Sequence, residues 1–438
     1  MSEQPLVNVQ ALSPAAVRRN FRYGVVNSAL FGFFDAIADP SLVLTWFVGQ
    51  LTTSSVIVGL LFPITDVGWF LPQLLVSRSI QRLPRKVVWY GRTAVARLGV
   101  WAALSLLVLL WGKRSETVLL GAFLLLYAVF CTVAGIAGPS FMEVIGKAIP
   151  ARQRGSFFAW RGLTGGLLAI VGAVVVRFVL DERRGWTFPV NFGWLFALGL
   201  PCIAAAMYAF TRMDEPEQSV AEVEGNPMVG PRSSLRVLRE DPNLVIFVIA
   251  RVVLLVALCA RPFYTVFARD RLNAPVWMVG VYLAALRAAL VGSTMFWGKL
   301  RDRLGGKLVM VLVSILSIPL TVAPLLLVGR WSYAWFTAVF VLQGIVISGT
   351  DIFSLTLILD LAPLDKRVMY IGLTNTLLGF SSLLLAGAGF VAQRWGLEAL
   401  FGGCAASAIL APVLVMRLRE PQTSVEPEAS PATPLGAP

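Results

Sequence analysis

Histidine is absent from all 438 residues of this chain. Its absence excludes His-ligated zinc, haem held by His, and acid–base or triad chemistry built on imidazole. Charge is scarce as well, at 14% of residues, and acids are outnumbered by bases, 24 to 37. The four cysteines (Cys131, Cys202, Cys259, Cys404) fall inside apolar runs without C-x-x-C spacing, so they read as packing thiols. No G-x-x-x-x-G-K-[ST] run occurs, and the chain has no phosphate-cradling loop of its own. No metal, cofactor or catalytic constellation is expected. An enzyme, even one embedded in a membrane, finds no support in these residues.

What is abundant is apolar surface: 57% hydrophobic residues and a mean hydropathy of +0.76. A membrane span needs roughly 20 apolar residues to cross ~30 Å of hydrocarbon. Twelve stretches meet that need, near 23–50, 54–77, 87–111, 117–146, 156–180, 191–213, 243–268, 276–298, 308–329, 333–360, 368–393 and 398–417. The expected fold is an all-α integral membrane protein with twelve transmembrane helices in two bundles of six. The net charge of +13 does not imply nucleic acid, because the bases gather in alternate loops. Arg78, Arg82, Arg85 and Lys86 share one loop; Lys299, Arg301, Arg303 and Lys307 share another. That asymmetry orients helices by the positive-inside rule and predicts cytoplasmic termini in a multi-pass cell-membrane protein. Residues 1–22 lack the apolar core of a signal peptide, so the first span is expected to serve as its own insertion signal.

The most informative stretch is Gly298-Lys299-Leu300-Arg301-Asp302-Arg303-Leu304-Gly305-Gly306-Lys307, between two long apolar segments. It resembles the cytoplasmic-loop signature G-x-L-x-D-R-x-G-x-K of the major facilitator superfamily of membrane transporters. The carrying positions are Gly298, Leu300, Asp302, Arg303, Gly305 and Lys307. The resemblance implies two six-helix bundles related by an axis along the membrane normal, rocking about a central site. The sequence repeats internally to match. Val58-Gly59-Leu60 corresponds to Val279-Gly280-Val281, an offset of 221 residues, and the same offset carries Gly298–Lys307 onto Ser77–Lys86. Arg82 and Lys86 survive there, while Gln81 replaces the acid. Pro150 and Arg154 correspond to Pro363 and Arg367, and Asp39-Pro40 to Arg261-Pro262. The expected organisation is a cytoplasmic segment 1–22, a bundle at 23–213, a cytoplasmic linker at 214–242, a bundle at 243–417, and a disordered tail at 418–438.

Charges inside a bilayer cost ~2.5–3.5 kcal/mol each on insertion scales, so they face the bundle interior or water. Asp35, Asp39, Asp66 and Asp351 lie well inside spans, as do Arg97, Arg161, Arg177, Arg251, Arg261 and Arg287. Repeat alignment sets Asp39 against Arg261 and Asp66 against Arg287, acids in one half answering bases in the other. The resemblance places the first, fourth, seventh and tenth helices around the cavity, which would expose Asp35, Asp39, Arg251, Arg261, Gln343 and Asp351. Candidate substrate or proton-coupling residues are these six with Asp66 and Arg287. A local Asp66–Arg97 salt bridge is the competing reading for Asp66. Pro40 and Pro262 should kink their helices, the second leaving the carbonyl of Leu258 free. Asp39 and Arg261 are expected to form an outer gate, and Asp302 to reach the start of the fifth helix near Gly155 and Ser156. The function expected is secondary transport of a small organic solute, proton-coupled and outward, by a monomer in the lipid bilayer. A proton-coupled importer, or a non-transporting sensor or assembly factor on the same fold, are the alternatives.

Overall fold

The computed structural model describes residues 12–81, 83–112, 114–216, 241–326, 332–362 and 367–419. Arg82, Pro363, nearly all of the linker and the tail beyond Arg419 lie outside the described residues. So does the side chain of Arg367, which opens a helix.

The helices before the linker are α1 (Pro14–Ile37), α2 (Val43–Leu51), α3 (Ser55–Gly59), α4 (Leu61–Gln81), α5 (Lys86–Trp111), α6 (Glu116–Ala148), α7 (Ala151–Val179) and α8 (Val190–Thr211). Those after it are α9 (Pro242–Ala257), α10 (Arg261–Asp270), α11 (Met278–Leu304), α12 (Gly306–Leu326), α13 (Thr337–Leu361), α14 (Arg367–Ser381) and α15 (Leu384–Met416). Each half opens with a capped proline. Ser13 accepts from the Ala16 amide ahead of Pro14, and Asp241 accepts from the Asn243 and Leu244 amides around Pro242. Proline suits a first turn because its missing N–H has no partner there in any case. The expected 1–22 segment is thus already helical from Pro14.

Ten helices among the described residues are long and apolar enough to cross a membrane. The difference from twelve has local causes. Arg18, Arg19 and Arg22 dilute the start of the first traversal, and the chain breaks between α1 and α2 at Ala38–Leu42. At the other end, α15 continues through Gly396, whose φ of 88° and ψ of 168° turn the chain between the last two traversals. Such a positive φ is open to glycine and costly for other residues.

Successive traversals alternate between two faces of the bundle. One, here the near face, carries Pro14, the end of α4 at Gln81 and the start of α5 at Lys86, the 148–151 and 304–306 turns and Met416. The far face carries the breaks at 38–42 and 52–54, the end of α5 at Trp111 and the start of α6 at Glu116, and the 271–277 connection.

Without a hydrophobic force between helices in lipid, close backbone approach and dispersion must hold them together. Glycine supplies the approach. A Cβ on Gly32 of α1 would collide with the backbone of Gly165 in α7, and one on Gly344 of α13 with the Leu286 carbonyl in α11. Aromatic rings fill the remaining space. In the first half Phe34, Trp101, Phe130 and Phe196 interlock, with the Trp101 indole donating to the Phe196 carbonyl at 2.9 Å. In the second, Tyr282 stacks on Phe340 with centroids 4.4 Å apart.

The halves meet through the far-face portion. Gly59 of α3 lies against Gly389 of α15, where an added Cβ would stand 2.9 Å from the Gly389 Cα. Gln393 accepts from the Ser54 hydroxyl at 2.8 Å and the Val56 amide at 3.2 Å. Thr265 donates to the Ser41 carbonyl at 2.8 Å. Along α7 and α11, Gly280 packs onto the backbone of Arg177, and Gly166 onto Val291. Towards the near face this seam parts. Phe158, Trp160, Leu163, Leu290, Thr294 and Met295 line a gap of about 410 Å³ there.

Candidate functional site: two charged cavities

Helical spacing builds the larger cavity, about 480 Å³, lined mainly by the first half. Asn27, Phe31 and Asp35 recur every four residues on α1, and Ala134, Ala137, Gly138 and Phe141 form one stripe of α6. Tyr90 and Arg97 come from α5, Trp69 from α4, Arg161 and Gly165 from α7, and Arg287 from α11. A side chamber of about 210 Å³ shares Asp35, Ala134 and Arg287 and adds Thr65, Tyr127 and Cys131.

Asp39 sits at the break in the first traversal and does two jobs. Its Oδ1 accepts from the Ser41 amide at 2.9 Å, the Ser41 hydroxyl at 2.6 Å and the Leu42 amide at 3.0 Å. That satisfies the donors freed where Pro40 interrupts the helix. Its Oδ2 accepts from Arg287 Nη2 at 2.8 Å, an ion pair across the two halves. The Asp39 side chain is only 7% exposed and that of Arg287 22%. Asp35, four residues before it, opens onto the cavity, and its carboxylate has no hydrogen bond or ion pair among the described residues.

The second cavity, about 240 Å³, is lined by Arg251, Leu254 and Leu258 of the seventh traversal, Arg261 of α10, Thr350 and Asp351 of α13, and Asp66 and Phe70 of α4. Arg251 donates to the Ser354 hydroxyl and lies over Phe353 at 5.3 Å. The carbonyl of Leu258 is not left free by Pro262: the Nε of Arg261 donates to it at 3.2 Å. The same guanidinium lies over the Phe62 ring at 5.0 Å, a contact between halves.

The structure therefore differs from the expected gate. Asp39 is joined to Arg287, and Arg261 instead faces Asp66. Repeat equivalence accounts for the exchange, since a pseudo-twofold that maps Asp39 onto Arg261 and Asp66 onto Arg287 also maps one crossed pair onto the other. Only the Asp39–Arg287 pair is closed here. Asp66 does not meet Arg97, whose guanidinium lies between Phe31 at 5.3 Å and Phe130 at 5.0 Å. Gln343 lines neither cavity. It is 1% exposed with neither amide atom hydrogen-bonded.

In the loop motif, Gly305 caps α11 at φ 85°, and Leu300 packs against the core while Gly298, with no atom within 4 Å of an added Cβ, stands clear. Asp302 is exposed and pairs with neighbouring Arg301 at 3.4 Å. Arg301 also donates to both oxygens of Asp360 on α13 at 3.2 Å, a partner that the sequence reading missed. Arg303 is exposed and Lys307 half-buried. Among the described residues Asp302 bonds only to Arg301, so the expected hydrogen bond to the start of the fifth traversal is not made in this conformation. Lys86 is buried 3.5 Å from Glu143, Pro150 precedes α7, and Arg154 donates to the Ile149 carbonyl at 3.0 Å. Sequence reasoning put Arg97 and Arg161 inside spans, facing the bundle or water, but not among the site residues, and it passed over Tyr90 and Trp69. An arginine inside an apolar span was the available signal for the first two.

Two helical halves, joined at one face and enclosing charged cavities between them, define a multi-pass membrane transporter. The chain belongs to the Major Facilitator Superfamily, whose family profile matches residues 24–387. Solved structures share its fold. The nucleoside transporter NupG aligns at 16% identity and a TM-score of 0.62, over 92% of this chain and 98% of that one. The xylose transporter XylE from E. coli, in an inward open conformation, aligns at 12% and 0.65, over 93% and 98%. A POT family transporter in complex with 5-aminolevulinic acid aligns at 10% and 0.66, over 92% and 95%. Comparison with curated proteins gives no match.

Proposed function

We propose that this chain is a proton-coupled secondary transporter that exports a small organic solute across the cell membrane by alternating access. The observation that carries the reading is the placement of bonds between halves. The Asp39–Arg287 pair, the Thr265–Ser41 bond and the Gln393 bonds all tie the far portion, while the α7–α11 seam parts towards the near face. Bonds named at the near face are internal to one half: Arg19 with Asp214, Lys147 with Glu215 at 3.1 Å, and Arg301 with Asp360. The state is inward-facing if the near face is cytoplasmic, as the basic loops require.

Asp35 is the proton site in this reading, being a carboxylate deep in the fold, open to the cavity and unpaired. Arg97, Arg161, Arg287, Tyr90, Tyr127 and Cys131 line the cavities around it, and Asp39 lies four residues on in the same traversal. The direction is carried over from the family resemblance. Purified protein in proteoliposomes with an imposed pH gradient tests the proposal: solute flux driven by the gradient in the direction opposite to the proton, and lost in Asp35→Asn, is expected. Flux indifferent to the gradient would refute the coupling, and flux along the proton gradient rather than against it would make the protein an importer.

A further inference from the structure

We propose that the larger cavity takes an organic anion, a carboxylate on a flat apolar body, held by Arg97. The inference rests on the transport reading and narrows it to a substrate class.

Arg97 is a cation in search of an acceptor. It is 8% exposed, its Nε is buried without a partner, and it donates no hydrogen bond to any described residue. Its guanidinium carbon lies over the rings of Phe31 at 5.3 Å and Phe130 at 5.0 Å. The rings offer its N–H groups no lone-pair acceptor, and the paired N–H groups of a guanidinium match the two oxygens of a carboxylate. The protein's own acids do not meet this need. Asp35 shares the cavity but forms no ion pair with Arg97, and Asp39 is committed to Arg287 and to its own turn. Arg161 adds a second positive charge, fixed by donating to the Gly24 carbonyl and to Asn27 Oδ1 at 3.1 Å. With Arg287 offset by Asp39, two arginines face one carboxylate. A cation meets repulsion there, and an anion balances the site.

The rest of the lining describes the body of the ligand. Trp69, 42% exposed, lines the cavity with Phe31, Tyr90 and Phe141. Gly138, Gly162 and Gly165 line the same cavity without side chains to fill it. The volume is within the range of metabolite-sized ligand sites.

Benzoate is the probe, with benzylamine and benzyl alcohol as the cationic and neutral analogues of equal size. Thermal unfolding of the full purified chain should rise with benzoate and stay unmoved by the other two. Arg97→Gln should weaken the benzoate response about tenfold and Arg97→Lys less, because lysine keeps the charge but loses the fork. Arg183→Gln, on a far-face loop, should respond as wild type. Equal stabilisation by benzyl alcohol, or a preference for benzylamine, would overturn the anion site in the wild type alone, whether or not the Arg97 variants fold. Undiminished benzoate binding by a folded Arg97→Gln would overturn the assignment of Arg97. The proteoliposome assay separates the two proposals. Benzoate binding without gradient-driven flux would keep the site and end the transport reading. Gradient-driven flux of a cationic solute without benzoate binding would do the reverse.

Discussion

The two crossed pairs, Asp39 with Arg287 and Asp66 with Arg261, are images of one another under the internal repeat, yet they are in different states. The first is a 2.8 Å ion pair. In the second, both residues line one cavity without bonding, and Arg261 spends its Nε on the Leu258 carbonyl. A symmetric charge arrangement thus holds an asymmetric conformation. The difference teaches that conformational bias lies in which pair is engaged, since each pair sets one first-half aspartate against one second-half arginine.

The largest effect is expected from breaking the closed pair. Arg287→Ala strands a mostly buried carboxylate, a loss on the order of 3–5 kcal/mol for a buried pair. Asp39→Asn is the cleaner variant, because its Oδ1 still accepts from Ser41 and Leu42. Spin-label distances between the far ends of α1 and α11 should lengthen in both. Charge exchange, Asp39→Arg with Arg287→Asp, should recover part of the flux lost in either single reversal, and only part, because arginine cannot accept from Ser41 and Leu42. Unchanged distances in Asp39→Asn would reduce the pair to a local polar contact.

Next comes the pair of glycines that the repeat equates, Gly59 and Gly280. An alanine at Gly59 meets Gly389 and one at Gly280 meets Arg177. Overpacking of this kind costs about 1–3 kcal/mol, so each should loosen the far face to a similar degree. Reactivity of single cysteines placed nearby towards an impermeant thiol reagent would measure it. A strong response at one glycine alone would show that the two seams are not equivalent.

Asp66→Asn should leave stability near wild type in this state, with a melting shift within about 2 °C, since no ion pair is lost. Flux should still fall, because the open pair is expected to close in the opposite state. Normal flux would show that the second pair is dispensable. Smallest of all is Asp302→Asn, which removes an exposed contact worth about 0.2–1 kcal/mol, and calorimetry should detect little change.

Much of this was legible in the sequence. The loop motif and V-G repeats announced the fold, and the structure shows why the glycines stand there: Gly59 and Gly280 lie at backbone contacts between halves, and Gly305 holds a positive φ. The buried charges were legible as a set, but their pairing was not. Equal depth suggested Asp39 with Arg261, whereas contact also depends on the angle of each side chain about its helix, which hydropathy does not encode. Gln343 failed for the same reason, pointing into the helix packing instead of a cavity. Arg97 hid behind its rings, because cation–π contacts with Phe31 and Phe130 join residues far apart in the chain. The helix count slipped where a turn passes through one glycine and where arginines dilute a span.

The glycine contacts at the far face have an electrical consequence. A barrier built from touching backbones has no side-chain rotamers to swing aside, so it offers little room for a transient thread of water. Each elementary charge leaking across a membrane dissipates about 2.3 kcal/mol per 100 mV. Where Gly59 meets Gly389 and Gly280 meets Arg177, close packing would keep the closed side electrically silent while the other side stands open to solvent.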